Sequence, residues 1–177
     1  MPRPSSGRRR ALETAERLFR TQGYAATGLT QILQESGAPK GSFYFYFPDG
    51  KLQVAREVLE AYGARVAAGM ATLAQRFADD PGKFVTALCA GAAREMENGG
   101  WGLGCAAQNL ANELAPLDAD MVERIGAVFE AWSEIAGRAL GNGARGVAFV
   151  AALEGARTLA RASRSRAPFD AVAQQFG

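Results

Sequence analysis

TGLTQILQESGAPKGSFYFYF, residues 27–47, holds two short helical patterns separated by a turn, and its reading decides the fold. Thr27 is a favoured helix N-cap, and Leu29, Ile32 and Leu33 follow it at spacings that put them on one face. Ser36-Gly37-Ala38 reads as a tight turn. Pro39 then stands where the first turn of the next helix would begin, the helical position that proline favours. This third helix is brief and aromatic, from Lys40 to Phe47, and Pro48-Asp49-Gly50 ends it. Upstream, Ala11, Leu12, Ala15, Leu18 and Phe19 form one apolar stripe of a helix over 8–22, which Gly23 stops.

Two short helices across a tight turn, braced by a longer helix in front, have the organisation of a helix-turn-helix that reads DNA. Leu29, Ile32 and Leu33 would anchor the second helix. Lys40, Ser42, Tyr44 and Tyr46 would offer polar edges to bases and phosphates, with Phe43 and Phe47 turned inward and Gly41 allowing close approach to a phosphate. The pattern alone leaves a second reading open, since an aromatic helix of this kind also occurs as ordinary core.

Charge favours the first reading. Residues 1–51 carry eight basic and four acidic side chains, and the remainder carries twelve basic and fourteen acidic. Positive charge gathers at the end that would meet a polyanion. The acidic lean of the rest argues against a protein that wraps nucleic acid uniformly.

From Lys51 onward the pattern is helical throughout, with helices expected over 51–68, 70–78, 81–97, 105–115, 118–140, 144–163 and 168–176. Pro81 and Asp118 mark helix starts, and no convincing strand pattern appears. The fold class is therefore all-α. The natural boundary lies near residue 50, with residues 1–50 reading as a three-helix DNA-binding domain and residues 51–177 as a second, helical domain. Gly141-Asn142-Gly143-Ala144-Arg145-Gly146 matches a dinucleotide fingerprint literally. A helix rather than a strand precedes it, so it reads as a connection between helices.

Histidine is absent, and the two cysteines, Cys89 and Cys105, form no CxxC pair. Neither a zinc site nor a disulfide framework is suggested, and no cofactor is expected. The commonest acid-base catalyst is missing, with no nucleophile motif or paired carboxylates, so a helical enzyme is the remote alternative. Free thiols and the lack of an apolar run near the roughly 20 residues that cross a bilayer point to a cytoplasmic protein without a membrane partner.

Ala15-Glu16-Arg17-Leu18-Phe19, Gly23-Tyr24-Ala25-Ala26-Thr27, Gly37 to Phe47 and Lys51 together resemble the N-terminal signature of the TetR/AcrR family of repressors. The resemblance covers residues 8–60, and the Pro48-Asp49-Gly50 turn is similar to that of LmrA/YxaF-like repressors. It implies a homodimer bound to double-stranded, palindromic operator DNA and released by a small hydrophobic effector. By position, Thr27 and Lys51 would meet phosphates, and Lys40, Gly41, Ser42, Tyr44, Phe45 and Tyr46 would face DNA. Arg8, Arg9 and Arg10 resemble a basic arm that enters the minor groove or lines the backbone. Two positions depart from the pattern. Phe45 stands where many members carry a histidine or another polar aromatic, and Gly28 replaces a common serine or threonine.

The family fold implies that residues 51–177 serve effector binding and dimerisation, with a dimer interface made by the last helices and a chamber for which Phe84, Leu88, Trp101, Cys105, Asn109, Phe129 and Trp132 are the candidate residues. Asn109, Asn112 and Glu113 have two readings, as groups that orient a ligand or as solvated side chains. Gly104-Cys105-Ala106 resembles a helix start at which some relatives sense electrophiles through the thiol. A thiol at a helix N-terminus gains thiolate character, whereas a lone cysteine is often a small buried hydrophobe. Cys89, inside an apolar helix, reads as structural. Small residues at Ala151, Ala152, Gly155 and Ala156 permit close helix approach, either across a twofold axis or within one chain.

Overall fold

The computed structural model describes residues 6–38 and 40–177, which form nine helices and no strand. In chain order these are α1 (Ser6–Gln22), α2 (Leu29–Ser36), α3 (Lys40–Tyr46), α4 (Gly50–Arg76), α5 (Pro81–Asn98), α6 (Ala106–Leu114), α7 (Ala119–Ala139), α8 (Gly143–Ser163) and α9 (Ala167–Phe176). Pro39 lies outside the described residues, so its expected place in the first turn of α3 is not described.

Pro81 and Asp118 mark helix starts as expected, and the structure adds two caps. Asp80 caps α5 by accepting from the Lys83 amide, and Pro81 opens the helix. Asp118 accepts from the Met121 amide ahead of α7, and Asn142 accepts from the Arg145 amide ahead of α8. The GxGxxG look-alike is thus a helix–helix connection with its own N-cap. Gly37 closes α2 at φ 62, a left-handed conformation that glycine adopts without steric cost.

Two expectations are corrected. Thr27 is not the N-cap of α2. Gly28 holds that position at φ −81 and ψ 145 without a side-chain cap, while the Thr27 hydroxyl donates to the Gly23 carbonyl at 2.6 Å. The helices expected over 51–68 and 70–78 are one continuous α4. A single interior glycine such as Gly69 costs only about 1 kcal/mol and removes no backbone hydrogen bond, and its alanine-rich surroundings carry the helix through.

The chain forms two compact units. The first contains the described residues up to Tyr62 together with Ala106–Ile125. Its core joins Ala15, Leu18 and Phe19 of α1, Ile32 of α2, Phe43 of α3, Phe47, and Val54, Val58 and Leu59 of α4, all buried. Leu110 and Leu114 of α6 are buried in the same unit. Arg56 of α4 pairs with Asp120 at 2.8 Å, and Arg124 of α7 reaches both Asp120 and Glu60. Hydrogen bonding from Arg124 holds the half-buried Asp120 carboxyl below its ordinary range.

The second unit contains Gly63–Cys105 and Gly126–Gly177. In it α9 lies against α5 and α8. Phe149 sits between Phe84 and Phe176, with ring centroids 6.3 and 5.5 Å away. The buried Trp132 indole donates to the Gly63 carbonyl at 3.0 Å, satisfying the one polar atom of a large apolar side chain. Gly146 of α8 meets Gly137 and Ser133 of α7 backbone to backbone. Cys89 is buried, and burial pushes its thiol up to about 11, in keeping with a structural role. No described helix is long and apolar enough to cross a membrane.

Candidate nucleic-acid interface

The first unit displays α3 through opposite use of its two faces. Phe43 and, just beyond the helix, Phe47 are fully buried with ring centroids 4.9 Å apart, as their spacing of four residues implies. Tyr44 is 48% exposed and Phe45 81% exposed, so the helix turns its free aromatic edge away from the core. Gly41 is exposed on the same side, and Tyr46 is half-buried with its ring centroid 5.5 Å from that of Phe45. The side chains of Lys40 and Ser42, both expected to face DNA, lie outside the described residues.

The turn between α2 and α3 is held from several directions. The Gly37 amide donates to the Gln34 carbonyl, and the Ala38 amide donates to the buried Ser36 hydroxyl. The Arg10 guanidinium donates to the Ser36 carbonyl at 2.9 Å. Arg8 pairs with Glu57 of α4 at 2.5 Å and lies over the Phe47 ring at 5.2 Å. Arg9 is exposed, 3.8 Å from Glu13. All three arginines belong to α1, from which Arg8 reaches α4 and Arg10 reaches the turn between α2 and α3.

The two expected phosphate ligands are also engaged. Thr27 is fully buried with its hydroxyl turned to Gly23. The Lys51 ammonium donates to the carbonyls of Tyr24 and Thr27, each at 3.0 Å, and lies 4.1 Å from the Tyr24 ring centroid. Burial lowers the Lys51 pKa, against an opposing pull from Glu113. Burial, with the nearby carboxylates of Asp118 and Glu113, raises that of Tyr24, and Arg56 opposes them.

Glu113 and Asn109 of α6 complete this junction. The Glu113 carboxylate accepts from the amides of Tyr24 at 2.8 Å and Ala25 at 2.6 Å. The Asn109 amide donates to the carbonyls of Phe19 at 2.8 Å and Arg20 at 3.3 Å. Asn109 thus adds to the last turn of α1, where the Phe19 carbonyl also accepts from the Gly23 amide, and Glu113 satisfies two amides of the turn that follows the helix. Gly23, at φ 87, passes so close that a Cβ there would overlap the Glu113 carboxylate. The spacing of four between Asn109 and Glu113 shows that they share a helix face, but nothing local names what that face meets.

The remaining effector candidates belong to the second unit. Phe84 is fully buried against Phe149, and Leu88 is half-buried. Phe129 and Trp132 meet edge to face at 5.3 Å. Trp101 is half-buried at φ 64, with its amide donating to the Met96 carbonyl, and Cys105 is fully buried. Asn109 belongs to the first unit. An open recess of about 600 Å³ in the second unit is lined by Glu134, Gly137, Arg138, Gly141, Asn142 and Gly143, none of them a candidate.

Residues 11–58 match the family described as bacterial regulatory proteins, tetR family, and residues 81–175 match the C-terminal domain of LmrA/YxaF-like transcriptional regulators. The HTH-type transcriptional regulator YxaF of Bacillus subtilis (strain 168) is 31% identical over 177 residues, covering 96% of this chain and 92% of that protein. HTH-type transcriptional regulator LmrA of the same organism is 58% identical over 52 residues, 29% of this chain and 28% of its own. The crystal structure of a TetR-family transcriptional regulator from Agrobacterium tumefaciens superimposes with a TM-score of 0.84 at 23% identity, covering 97% of this chain and 96% of that one. Such regulators bind DNA, usually form dimers and are not enzymes. This chain belongs to the TetR family of transcriptional regulators, with a helix-turn-helix DNA-binding domain followed by an LmrA/YxaF-like C-terminal domain.

Proposed function

We propose that this regulator is a cytoplasmic repressor that holds a palindromic operator as a homodimer and releases it when a small hydrophobic effector binds residues 51–177. The observation that carries the reading is the division of α3 between the buried Phe43 and the outward Tyr44 and Phe45. A dimer would set two such helices about one DNA turn apart, roughly 34–36 Å, to read both halves of a palindrome. Lysines and arginines near the groove would displace counterions, so binding weakens as salt rises.

Selection from a random-sequence duplex pool by the purified protein tests this reading. The expected result is a palindromic consensus bound far more tightly than random DNA, with log affinity falling linearly against log salt. Equal retention of all sequences would overturn it.

Release requires the effector to favour a state that holds DNA poorly, and a hundredfold response corresponds to about 2.7 kcal/mol of coupling. The Glu113–Tyr24–Lys51 junction supports a route through α6, since Glu113 grips the turn ahead of α2. Glu113→Ala leaves two turn amides without their acceptor and removes two charge-assisted hydrogen bonds. Discounted for partial exposure, the expected loss is about 1–2 kcal/mol of stability, with weaker operator binding. Chemical denaturation and a filter-binding titration check this, and unchanged values in both would remove the junction from the mechanism.

A second reading has one observation in its favour. Cys105 immediately precedes α6, the helix that carries Asn109 and Glu113, and is fully buried, so an adduct at its thiol would require the packing around it to open. Under this thiol-sensing alternative Cys105→Ser keeps operator binding and loses release by an electrophile. Retained release in that variant would dismiss it.

A further inference from the structure

Phe45 is the most exposed large apolar side chain of the described residues, at 81%. Among the aromatic contacts of α3 its ring meets Tyr46, steeply inclined to it with centroids 5.5 Å apart. The helix cannot roll to bury it, because Phe43 and Phe47 already occupy the core on the opposite side. Gly41, Tyr44 and Phe45 stand at i, i+3 and i+4 and share one outward face. At Gly41 an added Cβ would meet nothing within 4 Å, so this face is open beside the phenyl ring.

A phenyl group offers no hydrogen bond, and the donors and acceptors on base edges can gain nothing specific from it. Only one base presents an apolar group in the major groove, and that group is the C5-methyl of thymine. We infer that Phe45 is a specificity-determining residue that reads thymine in each half-site through its C5-methyl group. The inference rests on the reading that α3 enters the major groove, and it adds what that helix selects there. Tyr44, with a hydroxyl, remains able to bond a phosphate or a base edge beside it.

The test uses the full-length protein and the duplex enriched from a random-sequence pool. Each thymine is replaced in turn by uracil, which deletes the methyl and keeps base pairing and every hydrogen-bonding edge. The expected result is one position per half-site at which uracil weakens binding about 3- to 5-fold, the effect of unburying one methyl group. In Phe45→Ala, whose melting temperature should be unchanged because the side chain is exposed, the same uracil should have no effect. Changing that thymine to cytosine should weaken wild-type binding, and 5-methylcytosine should restore part of it. A uracil penalty that persists undiminished in Phe45→Ala, or no methyl-sensitive position in a strongly enriched duplex, would overturn the inference while leaving DNA reading by α3 intact. A pool with no enriched sequence would overturn both.

Discussion

Phe43→Ala should cost about 3–5 kcal/mol of stability and abolish operator binding, whereas Tyr44→Ala should weaken binding with little change in the melting transition. The two residues are neighbours on a seven-residue helix, yet Phe43 is fully buried and Tyr44 is 48% exposed. Removing a buried phenyl ring leaves a cavity beside Phe47, whose centroid is 4.9 Å away, and a short helix has few other contacts to keep it seated. A loss of this size is a large share of the roughly 5–15 kcal/mol that holds a domain folded. Circular dichroism melting read beside operator titration separates the two variants. If Phe43→Ala melted like the wild type, or if Tyr44→Ala bound like it, the assignment of inward and outward faces to α3 would fail.

Gly146→Ala should destabilise the second unit by about 3 kcal/mol, the upper part of the range for overpacking. A Cβ at Gly146 would sit 2.6 Å from the Gly137 Cα and still closer to the Gly137 amide nitrogen and the Ser133 carbonyl oxygen. These are backbone atoms of α7, so no side chain can swing aside, and α7 and α8 must separate to admit even one methyl group. Alanine is the better helix former by about 1 kcal/mol, which makes the sign of the effect informative. A denaturation midpoint equal to or above that of the wild type would mean that the two helices do not meet at this crossing. Gly155→Ala is the control. An added Cβ there meets nothing within 4 Å within the chain, so a monomer should be stabilised slightly.

Much of the architecture was legible because it depends on neighbours in sequence. The stripe in α1, the turn at Gly37, the helix starts marked by Pro81 and Asp118, and the inward pair Phe43 and Phe47 all follow from periodicity or from groups within four residues. Helix ends and faces are local matters, set by which backbone groups lack partners and which side chains line up at 3.6 residues per turn. The continuity of α4 was less legible, because Gly69 weakens a helix without forbidding it.

The uses of the polar side chains were a different matter. Thr27, Lys51, Arg8 and Arg10 have residue types suited to phosphates, and a pattern assigns them to DNA. In the folded first unit the Thr27 hydroxyl turns to Gly23, Lys51 to Tyr24 and Thr27, Arg8 to Glu57 and Arg10 to Ser36. Glu113 reaches amides 88 and 89 residues away, a pairing that no local spacing could announce. A cation or carboxylate carries the same chemistry toward a phosphate, a carbonyl or an amide. Sequence alone determined which helices form and which faces are apolar. Only the tertiary structure decided which polar groups are taken up within the chain and which, like the edge bearing Tyr44 and Phe45, remain open, because that depends on backbone atoms brought near from distant parts of the chain.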